Sequence, residues 1–424
     1  MTLITLLFAC NNTPEIDGPT FYQDVAPILD TYCMRCHVDG GIGPVSFETY
    51  DEVVSNGPSI VAFTESRIMP PKQVIADGTC GDFQDPWWMT DEEIAVLSDW
   101  VATGMEEGEV EDRNPPEPFP SLEATHSVTS PVFEPVPVGG DLAEFDEYRC
   151  FAMPVEDMDG DMFLTGFDVA PGNSAIVHHV IGHIVDPNAD SDFAGRTNAE
   201  QMAALDAESP DRPGWPCFSG AGDDVEYSSD PMGWAPGQGA TNFPAGTGVA
   251  MPEGSWIVTQ IHYNLSNPET LGTTDSTELQ IKLSPPSEVS KPMYVIYLDF
   301  LLAFGDTLPA DRPNYRYRNS VSLQELDVPI SIDIVGVMPH MHQYGQRLNA
   351  TILRDDGSEE CIVEVPEWDF DWQYIYFYET PVTVDPADLF ELTCWFDTTT
   401  ADDDVLAGWG TQNEMCLTIL WVTL

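Results

Sequence analysis

The chain has 424 residues, 42% of them hydrophobic, enough for roughly two or three domains around a sizeable apolar core. Its 72 acidic side chains against 14 basic ones give a formal net charge of -58. A surface of that sign repels nucleic acid and anionic lipid, which excludes non-specific nucleic-acid binding and leaves solubility or a high-salt habit as the plainest reading of the acidity, ahead of calcium binding or attraction of a basic partner.

The apolar start, Met1 to Ala9, is too short to span a bilayer and lacks the positive beginning of a full signal peptide. Leu7-Phe8-Ala9-Cys10 has the form of a bacterial lipobox. Residues 1–19 are therefore expected to be a lipoprotein signal remnant and tether, anchoring the chain through Cys10 in the periplasm or cell envelope. No later run is long and uncharged enough for a transmembrane helix. Apart from Cys10, Cys33 and Cys36, the cysteines are Cys80, Cys150, Cys217, Cys361, Cys394 and Cys416. That even number is compatible with three disulfides in an oxidising compartment.

Cys33-Met34-Arg35-Cys36-His37 is a C-x-x-C-H motif, the signature of covalent haem c attachment. Two thiols at this spacing reach the haem vinyls while the adjacent histidine reaches the iron. The sixth iron ligand is expected to be Met69, on the stiff segment Met69-Pro70-Pro71. Phe21 to Tyr32 reads as a helix entering the motif. Thr90 to Glu93 is a capping box ahead of Ile94, Leu97 and Val101 at helical spacing, with Gly104 as the stop. Residues 20–106 are thus predicted to be a small all-α cytochrome c-like domain, whose pattern resembles the single-haem domains fused to many bacterial periplasmic enzymes. Residues 107–137, acidic and rich in proline, read as an extended linker carrying a solitary, solvent-exposed His126.

Beyond the linker helical signals become scarce. Short β-branched or alternating runs at 256–262, 279–283, 328–335, 348–353, 389–396 and 417–422 are separated by turn residues. They predict two consecutive antiparallel, jelly-roll-like β-sandwiches, 138–285 and 286–424, with Pro285-Pro286 at the joint. Asp157, Asp159 and Asp161 around Gly160 hint at a calcium loop, but the spacing is incomplete and an exposed turn is the default.

Histidine placement carries the chemistry. Outside the haem motif and linker only His178, His179, His183, His262, His340 and His342 occur, in three clusters on predicted strands. Alternation lets His340 and His342 point the same way and grip one ion, whereas adjacent His178 and His179 need a bulge or twist to act together. Imidazole alone permits zinc, copper or nickel; a thioether ligand selects Cu(I). Met415 suits that role only if Cys416 is tied down, as a disulfide to Cys394 on the neighbouring strand would do.

Val177-His178-His179-Val180, Gln260-Ile261-His262-Tyr263, His340-Met341-His342-Gln343-Tyr344-Gly345 and Glu414-Met415-Cys416 resemble, in order, the motifs of the copper type II monooxygenases, the family of peptidylglycine alpha-hydroxylating and dopamine beta-monooxygenases. The resemblance covers approximately residues 135–424. It implies an electron-storing copper on His178, His179 and His262, and an oxygen-activating copper on His340, His342 and Met415. In the family these face each other across an open cleft and hydroxylate a C–H bond with dioxygen, ascorbate supplying electrons. The resemblance also implies the Cys394–Cys416 bond and makes Cys150–Cys217 plausible. Cys80 and Cys361 are left, and a bond between them would have to cross from the haem domain to the second sandwich.

His183 lies outside the matched motifs and is read as a packing residue. Where the peptide hydroxylases hold a substrate carboxylate by an arginine, an asparagine and a tyrosine, this chain has Met338, Leu417 and Ile419. Apolar side chains cannot pair an anion, so a small neutral or apolar substrate is expected. The haem domain would pass electrons to the copper region in place of, or between, ascorbate and the enzyme, or exchange them with a periplasmic cytochrome. Two rival readings are a non-catalytic copper and haem electron-transfer lipoprotein, and a copper–haem oxidase or reductase with Cys416 as a blue-copper ligand.

Overall fold

The computed structural model describes residues 18–34, 36–39, 43–71, 74–75, 78–84, 88–110, 121–139, 145–191, 195–217, 220–370, 372–408 and 412–424. The lipobox with Cys10 lies outside the described residues. The fold is mostly β, with 39% strand and 16% helix. Two compact units are distinct: Met1–Lys72 with Trp87–Pro118, and Gln73–Pro86 with Phe119–Leu424. Among the described residues, no helix is long and apolar enough to cross a membrane.

The first unit is helical. A π-turn at Phe21–Val25 runs into a helix at Ala26–Tyr32, followed by helices at Tyr50–Glu65 and Asp91–Thr103. Capping boxes at Thr49/Glu52 and Thr90/Glu93 satisfy the orphan N–H groups where the two longer helices begin. Gly104, left-handed at φ 109°, ends the last. Phe21, Val25, Leu29, Val53, Ile60, Leu97 and Trp100 form the core. The sequence did not announce the helix at Tyr50–Glu65, because Gly57 and Pro58 interrupt it. Packing requires that glycine, since a Cβ at residue 57 would stand 2.8 Å from Met105 Sδ and 3.3 Å from Val101.

The second unit contains three substantial sheets. One nine-stranded sheet follows the order His126–Thr129, Glu278–Ser284, Met162–Ala170, Thr247–Met251, Lys291–Asp299, Leu417–Thr423, Ile332–His340, Tyr376–Val384, with Thr241–Asn242 pairing at its side. The two expected consecutive sandwiches share one sheet. The nine-stranded sheet runs through both halves, joined by a short parallel pairing of Thr247 and Gly248 with Lys291 and Pro292. A five-stranded sheet, in the order Trp215–Pro216, Asp146–Pro154, Trp256–Asn264, Val177–Val185, Ser229–Trp234, lies over its first half. A four-stranded sheet accompanies its second half, in the order Tyr315–Ser322, Leu389–Phe396, Gly345–Leu353, Glu359–Val365. Phe151, Val180, Ile184, Ile257, Ile261, Leu164 and Phe167 fill the first core, which continues without a break to Met415, Leu417, Ile419 and Trp421.

Three further expectations change. His126 is half-buried and opens the strand His126–Thr129, opposite Ile281, so the linker ends earlier than composition suggested. The strand sought at 328–335 is Ile332–His340, because Pro329 supplies no N–H to a ladder. Cys80–Cys361 does form, alongside Cys150–Cys217 and Cys394–Cys416. It crosses no domain boundary, since Gln73–Pro86 belongs to the β unit, where Ile75 N–H donates to Glu364 O and Phe83 bridges Tyr378.

Candidate metal centres

The strands Val177–Val185 and Trp256–Asn264 pair antiparallel with His262 opposite His179. Between His262 and Tyr263 the register slips, Tyr263 facing Val177, so that His178 is the extra residue of a bulge. That slip turns neighbours of opposite parity towards one site. His178 Nδ1 and His262 Nδ1 lie 3.4 and 3.2 Å from His179 Nδ1. Three imidazole nitrogens at such separations match donors sharing one ion through bonds of about 2 Å. Burial, then repulsion among the histidines, holds His179 and His262 well below the ordinary imidazole range, so both are neutral at neutral pH, the form that binds a metal.

Second contacts fix these rings. Asp146, 1% exposed, places a carboxylate oxygen 3.2 Å from His262 Nε2, on the opposite side of the ring from the Nδ1 that faces His179. Tyr148 stacks on His262 at 4.1 Å and 6°. Neither residue carried a signal in the sequence; they are found only by following the strand Asp146–Pro154, which pairs Tyr148 with His262.

His340 ends the strand Ile332–His340, and His342 follows it with its ring centroid 5.0 Å away and nearly perpendicular. His340 Nδ1 lies 2.6 Å from Gln373 Oε1, and His342 Nδ1 lies 3.1 Å from the Asn413 carbonyl. With Nδ1–H donating in each, Nε2 carries the lone pair. Burial pushes His340 down to about 4, again favouring neutral imidazole. Met415 is 1% exposed and is flanked by Cys416, whose disulfide to Cys394 rules it out as a blue-copper ligand. Glu414, fully buried, accepts N–H bonds from His342, Tyr344 and Met415, so one carboxylate ties the His-x-His turn to the methionine. Burial raises that carboxyl to about 8.

A single aromatic ring touches both histidine groups. Phe370 lies 5.8 Å from His178 and 6.1 Å from His342, while Trp368 donates from its indole N–H to His342 O at 3.1 Å. The space expected to be an open cleft therefore contains a side chain. Beside His340, Met338 stands opposite Ile419 and His340 opposite Leu417, giving an apolar wall on the neighbouring strand.

In the helical unit Cys36 N–H and His37 N–H both donate to Cys33 O, folding the C-x-x-C-H segment into one turn. His37 Nδ1 meets Val45 O at 2.8 Å and its ring stacks on Phe47 at 4.3 Å, again leaving Nε2 as the lone-pair nitrogen. Gly43 permits this, as a Cβ there would approach His37 Nδ1 to 2.7 Å. Met69 is half-buried, with its N–H donating to Phe63 O. The aspartates suggested for calcium are used otherwise: Asp161 accepts the Glu253 N–H, and the Asp157 carbonyl faces His126.

Residues 297–421 match the copper type II ascorbate-dependent monooxygenase C-terminal domain. The chain is 24% identical over 200 residues to DBH-like monooxygenase protein 1 of Gallus gallus, covering 44% of this chain and 32% of the relative. It is 22% identical over 260 residues to a tyramine beta-hydroxylase of Caenorhabditis briggsae, covering 60% and 40%, and 27% identical over 210 residues to DBH-like monooxygenase protein 2 of Mus musculus, covering 45% and 33%. The matched region thus spans only about a third of the length of these relatives. The segment bearing His340, His342 and Met415 is thus similar to the C-terminal domain of the copper type II ascorbate-dependent monooxygenases.

Proposed function

We propose that the chain is a copper-dependent monooxygenase that hydroxylates a C–H bond of a small neutral or apolar molecule, with His178, His179 and His262 holding one copper and His340, His342 and Met415 the other. The observation that carries this reading is the convergence of three imidazoles within one unit that also bears the matched His-x-His and methionine segments. The donor chemistry fits. Imidazoles accept both copper oxidation states, and a thioether favours the reduced one. When bound, the two ions supply the one-electron steps of R–H + O2 + 2 e⁻ + 2 H⁺ → R–OH + H2O.

The chain's own residues do the rest. Asp146 and Gln373 orient His262 and His340; Glu414 holds His342 and Met415 in one frame; Phe370 and Trp368 keep water from the histidines. Met338, Ile419 and Leu417 line the substrate side with apolar surface, which supports a substrate without a carboxylate. Ascorbate is the proposed reductant, with a haem c on Cys33, Cys36, His37 and Met69 as an alternative electron entry; the Val45 carbonyl on His37 Nδ1 supports iron ligation through Nε2. Lipid anchoring at Cys10 in the cell envelope completes the proposal.

The test is ascorbate-driven turnover of the full chain under ¹⁸O₂ against a panel of neutral aromatic and aliphatic molecules. One labelled oxygen in a product, lost in Met415→His while copper at the histidine triad persists, is expected. Copper binding with no labelled product from any of the panel would overturn the enzymatic reading.

A further inference from the structure

We propose that His183, Asp230, Tyr227 and Tyr297 form a third metal site, suited to a hard, oxidised transition-metal cation, with ferric iron the best match to its donors. His183 lies four residues beyond His179 on the strand Val177–Val185, on the same face and about 13 Å along it, too far to join the triad. By sequence alone it is a packing residue. The structure gives it a different setting.

His183 is 2% exposed, and neither ring nitrogen has a hydrogen-bond partner. Its Nδ1 lies 3.9 Å from Asp230 Oδ2. That is too long for a hydrogen bond but within the span of two donors on one ion with bonds of about 2 Å. The Tyr227 ring centroid is 4.8 Å from that of His183. Tyr297, from the strand Lys291–Asp299 in the other half of the unit, brings its hydroxyl to the Asp230 carboxylate. Three segments far apart in sequence thus bring the His183 ring, the Asp230 carboxylate and two tyrosine side chains together.

Their chemistry has one common remedy. Burial pushes the Asp230 carboxyl up to about 6 and His183 down to about 3. Both groups are thus held towards their neutral forms, and a multivalent cation is what would compensate a carboxylate and two phenolates while accepting neutral imidazole. One nitrogen and three oxygens without sulfur select a hard ion over Cu(I). Tyr227 and Tyr297 are 42% and 36% exposed, so an ion can enter from the surface without opening the core. The inference stands independently of the copper reading.

The test uses the full chain as isolated, incubated with ferric citrate and desalted. Iron per chain is measured by mass spectrometry and phenolate vibrations by resonance Raman. The expected result is one iron beyond any haem iron, with phenolate modes that weaken in Tyr297→Phe and vanish in Tyr227→Phe/Tyr297→Phe, while copper content stays constant. These substitutions each remove one hydroxyl, and circular dichroism and melting confirm the fold. Equal iron in the wild type and the double variant, or bound iron without phenolate modes, would overturn the site.

Discussion

The two histidine groups of the β unit are built by opposite means. The group at His178, His179 and His262 is made by strand register: a one-residue slip in an interior sheet delivers the nitrogens, and a buried aspartate on the adjoining strand lies 3.2 Å from one ring. The group at His340, His342 and Met415 is made at strand ends, where a turn and a loop are tied by Glu414, Gln373, Asn413 and the Cys394–Cys416 bond. A site held by a sheet resists change in geometry. A site held by tied loops accommodates ligand exchange, as the proposed oxygen-activating role requires.

That contrast can be broken most forcefully at a ligand. His262→Ala should remove one copper and abolish product formation while the other copper still binds; equal loss of both ions would mean that the two groups are not separate. A smaller effect is expected at the supporting residues. Asp146→Asn should weaken copper at the triad by about 10–100-fold and leave the His340/His342 site unaltered, as read by competition with a chelator. Glu414→Gln should do the reverse, perturbing the copper spectrum of the second site and costing about 1–3 kcal/mol of stability in denaturant melts, because an amide oxygen cannot accept all three N–H groups that the carboxylate now holds. Cutting Cys394–Cys416, which closes a separation of 22 residues, should cost about 3 kcal/mol and affect the second site alone. Phe370→Ala should have the smallest effect on copper content and change which substrate sizes are accepted, measured as ratios of kcat/KM.

Much of this site was legible because ligands announce themselves. Histidine is scarce in the chain, and its pairs at 178–179 and 340–342 stand out. The need for a bulge at His178 followed from strand parity alone, and the structure has it. What escaped was everything without a local pattern. Asp146 is one of 72 acidic residues, and only the pairing of Asn264 with it brings it under His262. Phe370 lies in an irregular segment whose position depends on tertiary packing. The continuous nine-stranded sheet was hidden because a parallel pairing of two residues leaves no periodic trace. His183 looked ordinary because its partners, Asp230, Tyr227 and Tyr297, are remote in sequence.

The most direct measurement of the central claim is copper anomalous scattering from crystals of the full chain. Two separate peaks are predicted, one bonded to Nδ1 of His178, His179 and His262, the other to Nε2 of His340 and His342 with Met415 Sδ beside it. A single peak shared by the two groups, or a second peak without Met415 in its coordination sphere, would contradict it.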